Sequence, residues 1–247
     1  MSALFPHLFS PLWVGRLTLR NRIVSTPHAT GYVTGSLPDD REVHYQAEKA
    51  KGGVGWQFMG ATTVVRNQGY PWLQANVDDT IVPIYRRIAA AVHAHGGVIG
   101  AQLTHVGAMG DASVQETPLL GPSPIANDHE RQTPKEADPE ELQEIATAFA
   151  AAAGRVRDGE LDAVILHCGH GYLLSNFLSP RWTGGGIRTG ARPTSGCGFP
   201  SRCSRRCGGR SAVTFRSECA SAATSIWRTG STSRRRSASR RRLRRAR

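Results

Sequence analysis

The chain has 247 residues, with 31 Lys plus Arg against 19 Asp plus Glu and a formal net charge of +12, a length that suits one large domain or two small ones. The charge is unevenly placed: residues 1–180 hold 13 basic and 18 acidic side chains, whereas 181–247 hold 18 Arg, no Lys and only Glu218, so basicity marks a tail and not a nucleic-acid-binding surface of the whole protein. No run approaches the ~20 apolar residues of a membrane span and the N-terminus lacks a basic segment followed by a compact apolar run, so a cytoplasmic protein with no membrane partner is expected.

Residues 21–169 alternate short apolar runs with helical patterns, the mark of βα units around a parallel sheet. The first strand is expected at Ile23–Thr26 and the second at Val54–Gly60, with a helix between them from about Arg41 to Lys51. A second helix places Ile84, Ile88, Ala91 and Val92 on one face and stops at Gly96-Gly97. The third strand is expected at Val98–Thr104. Residues 107–136, rich in Pro, Gly, Asp and Ser, form a long loop at the carboxyl end of that strand, where α/β enzymes bind ligands. Asp138, Pro139 and Glu140-Glu141 then supply an N-cap, a first-turn proline and acids at the positive end of the dipole. Leu142, Ile145, Phe149, Ala152 and Val156 make the buried stripe of that helix, and Ala163–His167 the fourth strand. All four strands are near-continuously apolar, as strands buried on both faces are.

The densest chemical constellation follows the fourth strand: LHCGHGYLLSNFLSP brings His167, His170 and Tyr172 within six residues. Two imidazoles can aim N–H donors at one oxygen, and a phenol beside them can deliver a proton. This segment resembles the HxxHGYLxxxFLSP signature of the Old Yellow Enzyme family of FMN-dependent oxidoreductases. In order and spacing, LFSPLWVGRLTLRNRIVSTP resembles the family's opening, AEKAKGGVGWQFMGATTV its second strand with the preceding helix, IGAQLTHVG its third strand and GPSPI the following loop. The resemblance covers residues 4–182 and implies a TIM barrel with FMN on the carboxyl ends of its strands.

Carried over position by position, the resemblance gives Pro27 and Ala29 contact with the flavin ring, Ala61 backbone groups beside it, and Gln102 an amide for its pyrimidine edge. His167 and His170 would bind the oxygen of an activated substrate and Tyr172 would donate a proton. The implied reaction moves a hydride from NADH or NADPH through flavin N5 to the β-carbon of an α,β-unsaturated carbonyl. Structural roles compete at each position: Pro27 as a strand end, Ala29 as packing, Gln102 as a partner for backbone groups. His28, in TPHATGY, also faces the expected pocket and is similar to a subgroup containing amine dehydrogenases and oxidative N-demethylases, which makes a small N-methylated amine the alternative substrate. His105 reads as structural, and Ala108 stands where many relatives carry Arg.

After Trp182 the hydrophobic period disappears. The family pattern should continue with a Tyr-Gly-Gly segment, PLEV and VGVR; here Phe199–Ser204 and Arg216–Ser225 can encode PLEVL and VGVRLSGDE one base out of frame. Residues 183–247 are therefore expected to be an out-of-frame, disordered tail rich in Arg, Ser and Gly, since SRRRSASRRRLRRAR buries too little apolar surface to offset its ordering entropy. Four of the five cysteines lie in this tail without CxxC spacing, so neither a metal nor a disulfide framework is expected. The fold expected is an incomplete (β/α)8 TIM barrel of about four βα units, residues 1–182, followed by that tail. Such a fragment lacks the VGVR Arg and the phosphate loops, so little retained FMN and no activity are expected. Its open edges favour oligomers or aggregates. Any nucleic-acid contact would be nonspecific and confined to the tail.

Overall fold

The computed structural model describes residues 4–66, 68–183, 198–207, 213–217 and 224–227. One sheet dominates: β1 (Val24–His28), β2 (Trp56–Thr63), β3 (Val98–Thr104), β4 (Ala163–Leu166), β5 (Val213–Ser217) and β6 (Thr224–Trp227) lie side by side in chain order. The first five run parallel and β6 runs antiparallel to β5. Helices α1 (Asp40–Lys51), α2 (Val82–His93) and α3 (Pro139–Asp158) make the crossovers between β1 and β4. Strands that neighbour their own chain neighbours, joined by helices, are the winding of a (β/α)8 barrel, here part of one. No helix among the described residues is long and apolar enough to cross a membrane.

The helix ends follow local chemistry. Asp39 caps α1 by accepting from the Arg41 N–H, with Asp40 and Glu42 in the first turn and Lys49 and Lys51 in the last. Asp138 and Glu141 close a reciprocal capping box on α3, with Pro139 at its start. The stripe of α3 packs as expected, with Leu142, Ile145, Phe149, Ala152 and Val156 all buried. The face of α2 is rotated from expectation: Tyr85, Ile88, Ala89 and Val92 are buried, while Ile84 and Ala91 sit at its margin. Tyr85 faces inward because its hydroxyl has a buried partner, the Asn76 amide at 3.4 Å.

Two cores result. The helix-facing side of the sheet, including Met59, Ile99, Leu103, Val164 and Leu166, packs on α2 and α3. On the other side Trp56, Phe58 and Ala163 pack on Val14 and Leu19 of a hairpin (Leu12–Val14 with Leu17–Leu19) that covers the strands' amino ends. The next residues explain the LRNR motif. The Arg20 guanidinium donates to the carbonyls of Ala50, Val54 and His95, holding the chain after α1 and α2 together, and the Asn21 amide donates to Gly53 O at 2.8 Å.

Strand β1 departs from the expected two-sided burial. It pairs only with β2 among the described residues and alternates exposed and half-buried positions, with Val24 47 % exposed. Within the segment expected to lack structure, residues 198–207 form a helix, α5. Phe199, Cys203 and Cys207, spaced i, i+4 and i+8, are buried in the same core as α3, and the Phe199 ring lies 5.0 Å from that of Phe177. An apolar stripe of period 3.6 can thus fold despite arginines on the opposite face. The final Arg-rich stretch lies outside the described residues.

Candidate active site

The carboxyl end of β4 carries the constellation. His167 continues the sheet ladder by donating its N–H to Leu103 O at 2.9 Å, which fixes its backbone, and its side chain is buried. The chain then turns sharply, with His170 and Gly171 both in the left-handed region at φ 56° and 72°. A non-glycine residue there is sterically disfavoured and needs support from its surroundings. Tyr172 leaves the turn as the residue that precedes α4 (Leu173–Leu178).

This turn brings the three side chains together. His170 Nδ1 lies 3.1 Å from His167 Nε2, and the Tyr172 ring meets His167 edge-on, with centroids 4.8 Å apart. Burial, with His170 beside it, pulls the His167 pKa down to about 4, so this imidazole is neutral at pH 7. The Gly169 N–H donates to its Nδ1 at 3.3 Å. The His167 proton therefore sits on Nε2 and points at His170 Nδ1, which leaves the His170 proton on Nε2. An oxygen entering between the rings can accept from His167 Nε2, and also from His170 once that proton moves to Nδ1. Burial also raises the Tyr172 pKa, so the phenol keeps its proton.

The strand register places Ala61, Gln102 and Ile165 in one row across β2, β3 and β4. Pro27 is half-buried and Ala29 exposed at the end of β1, which closes onto β2 at Gly60. A Cβ there would lie 2.2 Å from His28 O and 2.5 Å from Ala29 Cα, so only glycine permits the approach. His28, expected to face the pocket, is turned to α1, where its Nδ1 lies 3.0 Å from the Tyr45 hydroxyl.

His105 is structural. Its Nδ1 accepts the Gly107 N–H at 3.1 Å, and burial drives its pKa down to about 3. Its Nε2 therefore carries the proton, and the Gln68 amide 2.9 Å away must present oxygen to it; Gln68 Oε1 otherwise has no partner. Ala108 is held through its backbone by Asn127 and Asn176. Sequence reasoning passed over those two asparagines and the stacked pair Tyr70 and Trp72. These rings lie 5.1 Å apart at 9°, and the Tyr70 hydroxyl donates to Met109 O at 3.1 Å. Trp72 is 46 % exposed. A Cβ on Gly171 would lie 3.0 Å from Met109 Cγ and one on Gly31 4.0 Å from Trp72 Cβ, so the stack lies between the residues that follow β1 and the β4 loop.

The chain is 40% identical over 182 residues to an N,N-dimethylglycine/sarcosine dehydrogenase of Chromohalobacter salexigens, covering 72% of this chain and 26% of that protein. It is 34% identical over 176 residues to a multifunctional alkene reductase/demethylase of Caballeronia cordobensis, covering 70% and 26%. The chain thus spans about a quarter of the length of these curated relatives. The fold is similar to that of morphinone reductase in complex with tetrahydroNAD, at a TM-score of 0.76 and 24% identity, over 82% of this chain and 60% of that one. The model of the NADH:flavin oxidoreductase / NADH oxidase family matches residues 7–185, and the chain belongs to that family of FMN oxidoreductases.

Proposed function

We propose that this site is that of an FMN-dependent NAD(P)H oxidoreductase of the Old Yellow Enzyme type, acting on the activated C=C bond of an α,β-unsaturated carbonyl. The observation that carries the reading is the His167–His170–Tyr172 cluster at the mouth of a parallel half-barrel. The residues present fit a flat ring. Pro27, Ala29 and Ala61 offer small side chains and backbone at the ends of β1 and β2, and Gln102, half-buried in the adjoining row, offers an amide that can donate and accept. FMN, when bound, supplies reversible two-electron chemistry, with NADH or NADPH as the reductant.

The chain's own residues polarise and protonate. His167 donates from Nε2 to the carbonyl oxygen, and His170 is the second donor from across the 3.1 Å gap. Donors fixed before the reaction hold the negative charge that develops on that oxygen and leave the β-carbon electron-poor. Tyr172, kept protonated by burial, supplies the proton for the α-carbon. Because β1 is the end strand of the sheet among the described residues, with β2 on one side only, a ring seated at its end is open to water on the other side. We therefore expect this chain to hold FMN weakly and to turn over little, if at all. Titration of the full chain with FMN, followed by flavin fluorescence, tests the reading. Saturable binding weakened at least tenfold by Gln102→Leu is expected, and binding indifferent to that change would overturn it.

A second reading is favoured by the Tyr70–Trp72 stack. Burial raises the Tyr70 pKa, and Tyr172, Glu130 and Asp111 act on it in the same direction, so two carboxylates lie near the stack. A half-exposed indole stacked on a phenol that two carboxylates act on suits an organic cation, which supports oxidative demethylation of a small N-methylated amine. Comparing sarcosine with cyclohex-2-enone as the substrate oxidised or reduced by the FMN-loaded chain separates the two.

A further inference from the structure

We propose that Asn176 and Asn127 are positioning residues, joined in one hydrogen-bonded ladder that aims His170 and Tyr172. Both asparagines are buried, and their side-chain hydrogen bonds run to backbone groups. The Asn176 amide donates to Gly171 O at 2.7 Å, and its oxygen accepts the Ala108 N–H at 3.4 Å. The Asn127 amide donates to Ala108 O at 2.7 Å, and its oxygen accepts the Glu130 N–H at 2.6 Å. The orientation of each amide is set by backbone groups that can only donate or only accept. The ladder therefore links two distant parts of the long loop after β3, at Asn127 and Ala108, to α4 and the catalytic turn.

Its end falls where support is needed. Gly171 O belongs to the second of two consecutive left-handed residues, the first being His170. The Asn176 backbone N–H also donates to Tyr172 O at 2.9 Å, so one residue restrains two successive carbonyls of the turn. The loops it joins are in contact: a Cβ on Gly107 would lie 2.7 Å from the Leu173 backbone. A disfavoured backbone persists only when its surroundings over-determine it, and buried, satisfied amide networks do this. Without the ladder, His170 relaxes away from φ 56° and its Nδ1 leaves His167.

The inference rests on the site reading above but is tested without flavin or turnover. The full chain, 15N-labelled at histidine, is examined by long-range proton–nitrogen NMR for the His167 Nε2–H bonded to His170 Nδ1. Asn176→Asp keeps the shape and replaces the donor facing Gly171 O with an acceptor; the hydrogen-bonded signal is expected to be lost. Asn76→Asp is the control, removing another buried amide, which donates to Ala152 O at 3.0 Å outside the ladder; the signal is expected to stay. A signal that survives Asn176→Asp, or is lost equally in both variants, overturns the proposal. Should Asn176→Asp not fold, Asn127→Asp carries the same test with the same outcomes. Failure of FMN binding with the ladder result intact would fault only the flavin reading.

Discussion

Acid should unfold this protein in a window set by two buried imidazoles. Burial holds His105 at about 3 and His167 at about 4, against 6.5 for the free side chain. Between pH 6.5 and 4 the unfolded chain binds two protons that the native state refuses, so stability falls as pH falls. At ~1.4 kcal/mol per pH unit per group, about 2.5 units give roughly 3 kcal/mol for each histidine. Together this is of the order of the whole stability of a domain. Asp39 and Asp78, held by hydrogen bonds below their ordinary 3.8, contribute above that value and lose their contribution only as pH falls further. Urea unfolding followed by circular dichroism at pH 7, 6, 5 and 4.5 measures the slope. His105→Asn removes one titrating group while keeping an acceptor for the Gly107 N–H, and about half the slope should disappear. An unchanged slope in that variant, or flat stability from pH 6.5 to 4, would refute the assignment of His105 and His167 as buried neutral bases.

Two further outcomes are expected. Arg20→Ala strips three backbone carbonyls of a shared charged donor and should cost about 2–3 kcal/mol, lowering the melting temperature by roughly 5–10 °C; Arg20→Lys should recover only part, because an ammonium does not reproduce the fork. Gly60→Ala places a Cβ against backbone of His28 and Ala29, so the ends of β1 and β2 must separate. FMN affinity should then fall at least tenfold in the same fluorescence titration, and unchanged affinity would show that the shelf formed by Pro27 and Ala29 does not hold the ring.

What could be read from the sequence was what local chemistry decides. The cap of α3 needs only Asp138, Pro139 and Glu141, within four consecutive residues, and it folds as written. The clustering of His167, His170 and Tyr172 was equally local, since one tight turn brings them together. The rotation of α2 was not legible, because Tyr85 is drawn inward by Asn76, and that partner lies in a loop whose position depends on β2. Nor was the Asn127–Ala108–Asn176 ladder, whose members meet only after the long loop has folded back on itself and α4 has docked against it. The stripe Phe199, Cys203, Cys207 was present in the sequence but masked by arginine content; composition averages over faces, and a helix does not.

The order of strands across the sheet has a bearing on how the molecule is built. Each strand from β1 to β4 finds its neighbour within the preceding βα unit, so growth of the sheet during synthesis needs no later segment to bridge an earlier gap. The turn that carries His167, His170 and Tyr172 is complete as soon as the fourth unit docks. Sequence changes beyond that point alter what the sheet is closed with, and leave the histidine pair's immediate scaffold already assembled.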